Sequence, residues 1–178
     1  MTAGKKAQRS AFGTHVDILE LILNAKKIDC VFELGPGHYS TELFAGRCKQ
    51  VISIEQQSDA YAALLKAEFA EYPNVDLRYM PGIPGGPELL AKWEDEIDLV
   101  FVDGEALSRA LAVNVAFRKT EIIVAHDTDQ GQYRWETIKV PRGWFSFEDD
   151  KLKPATTVWA KEKKLIEEIK SKLQERRA

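Results

Sequence analysis

The sequence is poor in cysteine and contains no long apolar run. Its two cysteines, Cys30 and Cys48, are too few for a disulfide framework or a zinc site, so we expect a reducing, cytoplasmic environment. No apolar segment approaches the roughly 20 residues of a membrane span, and the N-terminus lacks the apolar core of a signal peptide. A net charge of -3 and a pI near 5.7 give no global attraction to nucleic acid or to anionic membranes. The composition therefore predicts a globular protein with neither a nucleic-acid partner nor a membrane partner.

Apolar segments of strand length alternate with helical patterns along most of the chain. We expect one domain over residues 1–178, in which 1–9 are disordered and 161–178 form an amphipathic terminal helix. Five short apolar runs predict buried strands at 28–33, 51–54, 75–80, 97–102 and 121–125. Three later segments also have the composition of strands, at 133–140, 143–147 and 156–159.

This alternation, with its short connections, predicts an α/β fold of the Rossmann-like, doubly wound kind. The sheet should be mostly parallel and should lie between two layers of helices, which gives three layers (α/β/α). We expect the segments at 143–147 and 156–159 to pair as a C-terminal antiparallel hairpin at the edge of this sheet.

The first strand leads into a tight glycine turn and then into a helix. Gly35 and Gly37 permit backbone torsions and close approaches that a side chain would forbid. Ser40 or Thr41 can cap the following helix, whose free N–H groups would then face a ligand above the strand. This arrangement is typical of a nucleotide cradle.

Carboxylates mark the ends of four predicted strands, at Glu33, Glu55, Asp103 and the pair His126 and Asp127. In open parallel sheets, ligands bind beyond the carboxyl ends of the strands. Glu55 lies a helix and a strand beyond the glycine turn, where a carboxylate accepts hydrogen bonds from both hydroxyls of a ribose. We therefore predict a ribose contact for Glu55; the alternative is a surface residue that begins the second helix.

Three motifs, in this order, resemble those of the class I S-adenosylmethionine-dependent methyltransferases. They are Val-Phe-Glu-Leu-Gly-Pro-Gly-His-Tyr-Ser at 31–40, Ser-Ile-Glu at 53–55 and Asp-Leu-Val-Phe-Val-Asp-Gly at 98–104. The Glu-Leu-Gly start with Tyr-Ser close behind is most similar to the catechol-type small-molecule O-methyltransferases. The segment 122–128 is similar to the end of the fifth strand in those enzymes, where an acidic pair often helps to hold a divalent metal.

The resemblance implies that S-adenosylmethionine is the cofactor. Gly35 and Gly37 would pass beneath its methionine part, with Glu33 near the ammonium and Ser40 near the carboxylate. Glu55 would bind the ribose. The implied function is methyl transfer to a small-molecule acceptor, most simply O-methylation.

The resemblance also implies that Asp103, His126 and Asp127 are catalytic residues facing the acceptor. If Asp103 and Asp127 bind a metal, their hard oxygen ligands favour Mg²⁺ or Ca²⁺, and adding His126 shifts the preference towards transition metals. Without a metal, His126 is the best general base. The simplest alternative is that Asp103 caps a helix and His126 bonds a loop carbonyl.

The sequence departs from the family pattern in three places. Ala106 replaces a lysine base, and the third strand ends at Met80 without an acidic residue. His126-Asp127 or Asp127-Thr128 replaces the paired acidic and amide ligands of the family, which leaves metal dependence open.

Two other functions are compatible with these motifs. One is a methyltransferase-like, nucleoside-binding protein that transfers nothing, and the other is an NAD-dependent dehydrogenase that binds the ribose of its cofactor through Glu55. Structural roles suffice for Arg109, and we expect a capping or surface role for His15. The apolar residues of the terminal helix would permit a homodimer.

Overall fold

The computed structural model describes residues 13–178, so the prediction for 1–9 lies outside the described residues. The described strands are β1 Cys30–Leu34, β2 Gln50–Glu55, β3 Val75–Tyr79, β4 Leu99–Val102, β5 Ile122–His126, β6 Phe145–Asp149 and β7 Thr156–Ala160. The α-helices of this part of the chain are α1 Val16–Ala25, α2 Ser40–Ala45, α3 Asp59–Glu68, α4 Gly85–Lys92, α5 Arg109–Ala116 and α6 Lys163–Arg177. A 3₁₀ turn, Ala106–Ser108, comes directly before α5.

All seven strands join one sheet in the order β3-β2-β1-β4-β5-β7-β6. The first five strands in this order pair in parallel. The strand β7 runs antiparallel to both of its neighbours, β5 and β6. The predicted fold, a mostly parallel Rossmann-like sheet with a C-terminal antiparallel hairpin, is therefore confirmed.

Apolar side chains cover both faces of the sheet, as expected for strands buried on two sides. Val31 belongs to the core that α1, α2 and α6 share with one face, whereas Phe32 belongs to the core beneath α4 and α5 on the other. The helix α3 packs over β3 through a smaller cluster that includes Leu65 and Leu77. The three-layer arrangement is confirmed.

The segment 133–140 is not a strand, and that prediction was wrong. It contains two 3₁₀ turns, Gly131–Tyr133 and Trp135–Thr137. The edge of β5 is already paired with β7, which leaves no position for a further strand there. Trp135 and Ile138 instead pack against the core on the α5 side, so their apolar character reflects contact with the helix layer.

The terminal helix α6 packs entirely against its own chain. Its apolar side chains, Leu165, Ile166, Ile169 and Leu173, are all buried in the core that it shares with α1. None of the large exposed apolar side chains in residues 13–178 lies on α6. The reason for expecting a dimer through this helix is therefore removed.

No helix among residues 13–178 combines the length and the apolar character that a membrane span requires.

The glycine turn after β1 needs glycine at one of its two positions for the fold itself. Gly35 has a φ of +84°, and a side-chain carbon there would lie 2.3 Å from the carbonyl oxygen of Asp103. At Gly37, no heavy atom of residues 13–178 lies within 4 Å of the corresponding position. The fold therefore requires Gly35, whereas the described part of the chain leaves the space beside Gly37 open.

We expect Gly35→Ala to lower the free energy of unfolding by about 3 kcal/mol or more, because the methyl group overlaps backbone atoms and the positive φ is strained. Gly37→Ala is the matched control, and its effect should stay within about 1 kcal/mol. Urea unfolding of the two variants measures both values. Equal stabilities for the two variants would contradict this assignment of the turn.

Candidate active site

The register of the parallel strands brings the polar strand ends to one level. Leu34 of β1 pairs with Ile54 of β2 and with Val102 of β4, and Val102 pairs with Ala125 of β5. The residues that follow these positions are Gly35, Glu55, Asp103 and His126. They lie where β1 separates the two halves of the sheet, which is the expected ligand position in such folds.

A cavity of about 640 Å³ opens above these strand ends. This volume lies within the ~300–1,000 Å³ range of small-molecule sites. Among the predicted site residues, the lining of the cavity includes Gly35, Gly37, Ser40, Glu55, Asp103, His126 and Asp127. Seven of the eight predicted site residues therefore meet in one cavity, and Glu33 does not line it.

Glu33 is fully buried behind the glycine turn. Its Oε2 accepts hydrogen bonds from Thr41 Oγ1 at 2.7 Å and from Ser53 Oγ at 2.5 Å. Its Oε1 is buried and has no hydrogen-bond partner within residues 13–178. Burial raises the pKa of Glu33 to about 7, although hydrogen bonds from Ser40, Ser53 and Thr41 act in the opposite direction.

The sequence suggested that the hydroxyl of Ser40 or Thr41 caps α2, but the structure shows no such cap. Tyr39 stands at the cap position, and its side chain makes no capping hydrogen bond. Thr41 accepts a hydrogen bond from the backbone N–H of Gly37 and donates its own proton to Glu33. The carboxylate of Glu33 thus draws these hydroxyls inward and stiffens the turn.

Glu55 is held by the start of α3. Its Oε1 accepts hydrogen bonds from the backbone N–H groups of Gln57 at 2.6 Å and Ser58 at 3.0 Å. The side chain of Ser58 caps the helix by accepting a hydrogen bond from the backbone N–H of Tyr61. Glu55 is thus oriented by backbone groups and lines the cavity, so it is more than a surface residue.

At the other end of the cavity, the guanidinium of Arg109 joins the two predicted carboxylates. Its Nη1 lies 2.9 Å from Asp103 Oδ1 and 2.7 Å from Asp127 Oδ2. Asp127 has a left-handed backbone conformation, with a φ of 59°, which turns its side chain toward Arg109. Sequence reasoning had given Arg109 only a structural role.

Both ring nitrogens of His126 face acceptors. Thr14 donates its hydroxyl proton to the carbonyl of Pro154, so Thr14 Oγ1 accepts from His126 Nε2 at 2.8 Å. The other nitrogen, Nδ1, lies 3.3 Å from both oxygens of Asp103 and 3.5 Å from Asp127 Oδ1. The ring thus lies between the Thr14 hydroxyl and the carboxylate of Asp103. The role of His126 as a general base stays a prediction.

His15 is buried, in contrast to the capping or surface role expected for it. It is only 2 % exposed, it lines the cavity, and its ring centroid lies 4.6 Å from that of His126. It makes no side-chain capping hydrogen bond at the start of α1. His15 therefore forms part of the cavity wall beside His126.

No protein-family model matches the sequence, and a comparison with curated protein sequences also gives no match. Solved structures do match this chain in fold. An O-methyltransferase from Bacillus cereus, in complex with SAH, has a TM-score of 0.65 at 14% identity, over 89% of this chain and 83% of that one. The O-methyltransferase TomG from Streptomyces achromogenes, in complex with SAM, has a TM-score of 0.63 at 16% identity, over 86% of this chain and 81% of that one. The SAH-bound methyltransferase PaMTH1 from Podospora anserina has a TM-score of 0.63 at 15% identity, over 84% and 77%.

The chain has the fold of a class I O-methyltransferase.

The methyltransferase fold does not favour the dehydrogenase alternative. Nicotinamide-binding Rossmann domains commonly have the strand order 3-2-1-4-5-6. Here the antiparallel β7 lies between β5 and β6, and both of these strands pair with it.

The acidic pair that the methyltransferase resemblance assigned to a metal does not fit a divalent ion in this chain. Asp103 and Asp127 both contact Nη1 of Arg109. An ion at the usual ~2.0–2.6 Å from the same oxygens would occupy the place of that nitrogen and be repelled by the guanidinium. One ligand atom each of His15, Asp103 and His126 also lie within 4.8 Å of one another, but Nδ1 of His126 lies 3.3 Å from Asp103 itself, and Arg109 forms an ion pair with the same carboxylate. The structure therefore does not support the predicted Mg²⁺ site.

The residues that sequence reasoning missed are those that reach the site from elsewhere in the chain. Thr14 and His15 precede α1, Arg109 begins α5, and Tyr133 lies in the segment wrongly predicted as a strand. A sequence signal existed only for Arg109, a cation six residues after the acidic end of β4. The other contacts depend on tertiary packing.

The raised pKa of Glu33 predicts a dependence of stability on pH. Between the ordinary pKa of 4.5 and the folded value of about 7, the folded protein keeps a proton that the unfolded chain has released. Stability should therefore fall as the pH rises through this window, by up to about 3 kcal/mol. Glu33→Gln should abolish this fall, because the amide does not titrate. Urea unfolding at about pH 5 and pH 8 measures the difference.

The control for this prediction is Glu42→Gln, an exposed carboxylate on α2. It should keep the same pH dependence as the wild type. A Glu33→Gln protein whose stability falls with pH as steeply as the wild type would show that Glu33 is ionised normally in the fold.

Proposed function

We propose that this protein is an S-adenosylmethionine-dependent methyltransferase that transfers the methyl group to a hydroxyl of a small molecule. One observation carries the proposal: a single cavity has the glycine turn and Glu55 at one end and the carboxylates of Asp103 and Asp127 at the other. The structurally similar O-methyltransferases of Bacillus cereus and Streptomyces achromogenes are complexes with SAH and SAM, respectively. Their cofactors support the same assignment for this cavity.

The residues at the cofactor end fit S-adenosylmethionine. The space beside Gly37 is open, so a ligand can lie against the turn without meeting a side chain. Glu55 has one oxygen engaged by backbone N–H groups, which leaves the other to accept from the ribose hydroxyls. Ser40 lines the cavity near the turn, where the methionine carboxylate would lie. Glu33 does not line the cavity, but it accepts hydrogen bonds from hydroxyls next to the turn and so holds them in place.

When bound, the cofactor supplies an electrophilic methyl group on a sulfonium sulfur. The protein then has to place the acceptor oxygen in line with that methyl group, and such positioning contributes up to about 7–11 kcal/mol to the lowering of a barrier. Asp103 is the most accessible member of the acceptor-end cluster, with 22% of its side chain exposed against 15% for Asp127 and 4% for His126. We assign it to orient the acceptor hydroxyl and to take its proton as the oxygen–methyl bond forms.

The other members of the cluster act through Asp103 and are positioning residues. Nδ1 of His126 lies 3.3 Å from both oxygens of the Asp103 carboxylate, and Nη1 of Arg109 forms an ion pair with Oδ1 at 2.9 Å. Asp127 forms a second ion pair with the same nitrogen of Arg109.

The size of the cavity supports a small-molecule acceptor. It is lined by residues from the ends of β1, β2, β4 and β5 and from nearby loops.

A crossed pair of substitutions tests the proposal. The wild type should bind S-adenosylhomocysteine with a Kd of about 10 µM or tighter, measured by calorimetry. Glu55→Gln keeps an acceptor for the backbone N–H groups but loses the charge, so affinity should fall about 10- to 100-fold. Asp103→Asn should bind as tightly as the wild type and should lower transfer from labelled S-adenosylmethionine to a panel of hydroxyl compounds by about 100-fold.

A nicotinamide dinucleotide is the control ligand and should give no binding heat. Binding of the dinucleotide without either sulfur nucleoside would overturn the proposal in favour of a dehydrogenase. Tight binding of S-adenosylhomocysteine, with no labelled product from any acceptor, would instead favour the nucleoside-binding protein.

A further inference from the structure

We propose that Arg109 replaces a divalent metal ion between Asp103 and Asp127, and that it positions the Asp103 carboxylate in the ion's stead. Only the positioning role depends on the proposed function. The replacement of a metal is a property of the protein without its ligands and can be tested in their absence.

Arg109 is placed at this site by the fold. It is the first residue of α5, and the 3₁₀ turn before it brings the chain back beneath the ends of β4 and β5. From there, one nitrogen contacts a carboxylate from each of the two strand ends. One cation can therefore serve both carboxylates, as a shared metal ion would.

The guanidinium is fixed by backbone groups as well as by the carboxylates. Its Nε donates to the carbonyl of Gly104 at 2.9 Å, its Nη2 to that of Asp103 at 3.1 Å and its Nη1 to that of His126 at 3.1 Å. The ring of Tyr133 covers one face, at 4.3 Å from the guanidinium carbon. If the side chain left the site, three carbonyl oxygens would lose a hydrogen-bond donor and two ion pairs would be broken, so Arg109 is a fixed part of the site.

The two carboxylates already share a buried cation. Asp103 and Asp127 form ion pairs with the same nitrogen of Arg109, at 2.9 and 2.7 Å, and the Arg109 side chain is only 7% exposed. A divalent ion added between these carboxylates would lie against the buried guanidinium, and the repulsion between the two cations would be strongly unfavourable.

Removing Arg109 should therefore create a metal site. The Arg109→Ala variant leaves two carboxylates facing an empty volume, and such oxygen ligands bind divalent cations. We expect it to bind one Mn²⁺ per chain with a Kd of about 0.1–1 mM, measured by calorimetry and by the electron paramagnetic resonance signal of free Mn²⁺. The same variant with Asp127→Asn should lose this binding.

Two matched variants separate charge from side-chain removal. Arg109→Lys keeps a positive charge near the carboxylates and should not gain the metal site. Arg118→Ala removes an exposed arginine beyond the end of α5 and should behave as the wild type. Mn²⁺ binding in Arg118→Ala at the level of Arg109→Ala would contradict the proposal.

The wild type provides a test that does not depend on the variant folding. Up to about 10 mM Mn²⁺, we expect the wild type and the Asp127→Asn variant to show the same Mn²⁺ binding, because no wild-type site depends on Asp127. Asparagine suits the left-handed backbone of this position, so the substitution is compatible with the fold. A wild-type site that Asp127→Asn removes would overturn the proposal, because the carboxylates would then hold a metal beside Arg109.

The positioning role has its own measurement. Transfer by the wild type should be unchanged when excess chelator is added. Arg109→Ala should transfer at least ~10-fold more slowly with chelator, and Mn²⁺ should restore part of the rate, because an ion can then hold Asp103. Loss of wild-type transfer on addition of chelator would contradict the proposal. If the wild type binds no Mn²⁺ at this site and also transfers no methyl group, only the methyltransferase function is refuted.

Discussion

The close approach of two backbone segments is the constraint on which the site depends. A side-chain carbon at Gly35 would lie 2.3 Å from the carbonyl of Asp103, and one at Gly104 would lie 3.2 Å from the N–H nitrogen of Gly35. The turn after β1 and the loop after β4 therefore meet backbone to backbone. Because β1 and β4 are neighbours at the point where the strand order of the sheet reverses, this contact places the glycine turn next to Asp103 in the cavity wall. A methyl donor bound against the turn and a methyl acceptor bound at Asp103 would therefore lie close to each other.

Polar groups on either side of this contact are arranged in different ways. At the cofactor end, Glu33 is buried with a raised pKa, and its hydrogen bonds tie Thr41 and Ser53 to the turn. At the acceptor end, charges of both signs are paired around Arg109. Burial strengthens each of these interactions and makes an unpaired charge costly, so the acceptor end tolerates little change in its charge balance.

The sequence predicted the elements whose signals are local. Short apolar runs indicated the strands, glycines indicated the turn at Gly35, and the carboxylates after the strands indicated the edge of the sheet at which a ligand would bind. These signals depend on strand length, backbone torsion and the common direction of parallel strands. They were sufficient to predict β1 to β5 as strands of one mostly parallel sheet and to predict seven residues of the cavity lining.

The rest of the site depends on long-range contacts that leave no local pattern. Arg109 reads as a helix residue, and only the fold shows that its guanidinium lies between two strand ends. The hydroxyl of Thr14 meets the ring of His126 across 112 positions of sequence and helps to hold the ring beside Asp103. The segment 133–140 was mistaken for a strand because its apolar residues pack against the helix layer, which uses the same kinds of side chain as a buried strand. The pairing of charges around Asp103 is therefore a property of the fold.

A crystal structure of the protein with S-adenosylhomocysteine tests the central claim most directly, because it reports how the cavity is divided without requiring a known acceptor. The ribose hydroxyls should lie within about 3 Å of a Glu55 oxygen, and the sulfur should face Asp103 across the open end of the cavity. A nucleoside bound with its ribose away from Glu55, or with its sulfur turned away from Asp103, would contradict the division into a cofactor end and an acceptor end.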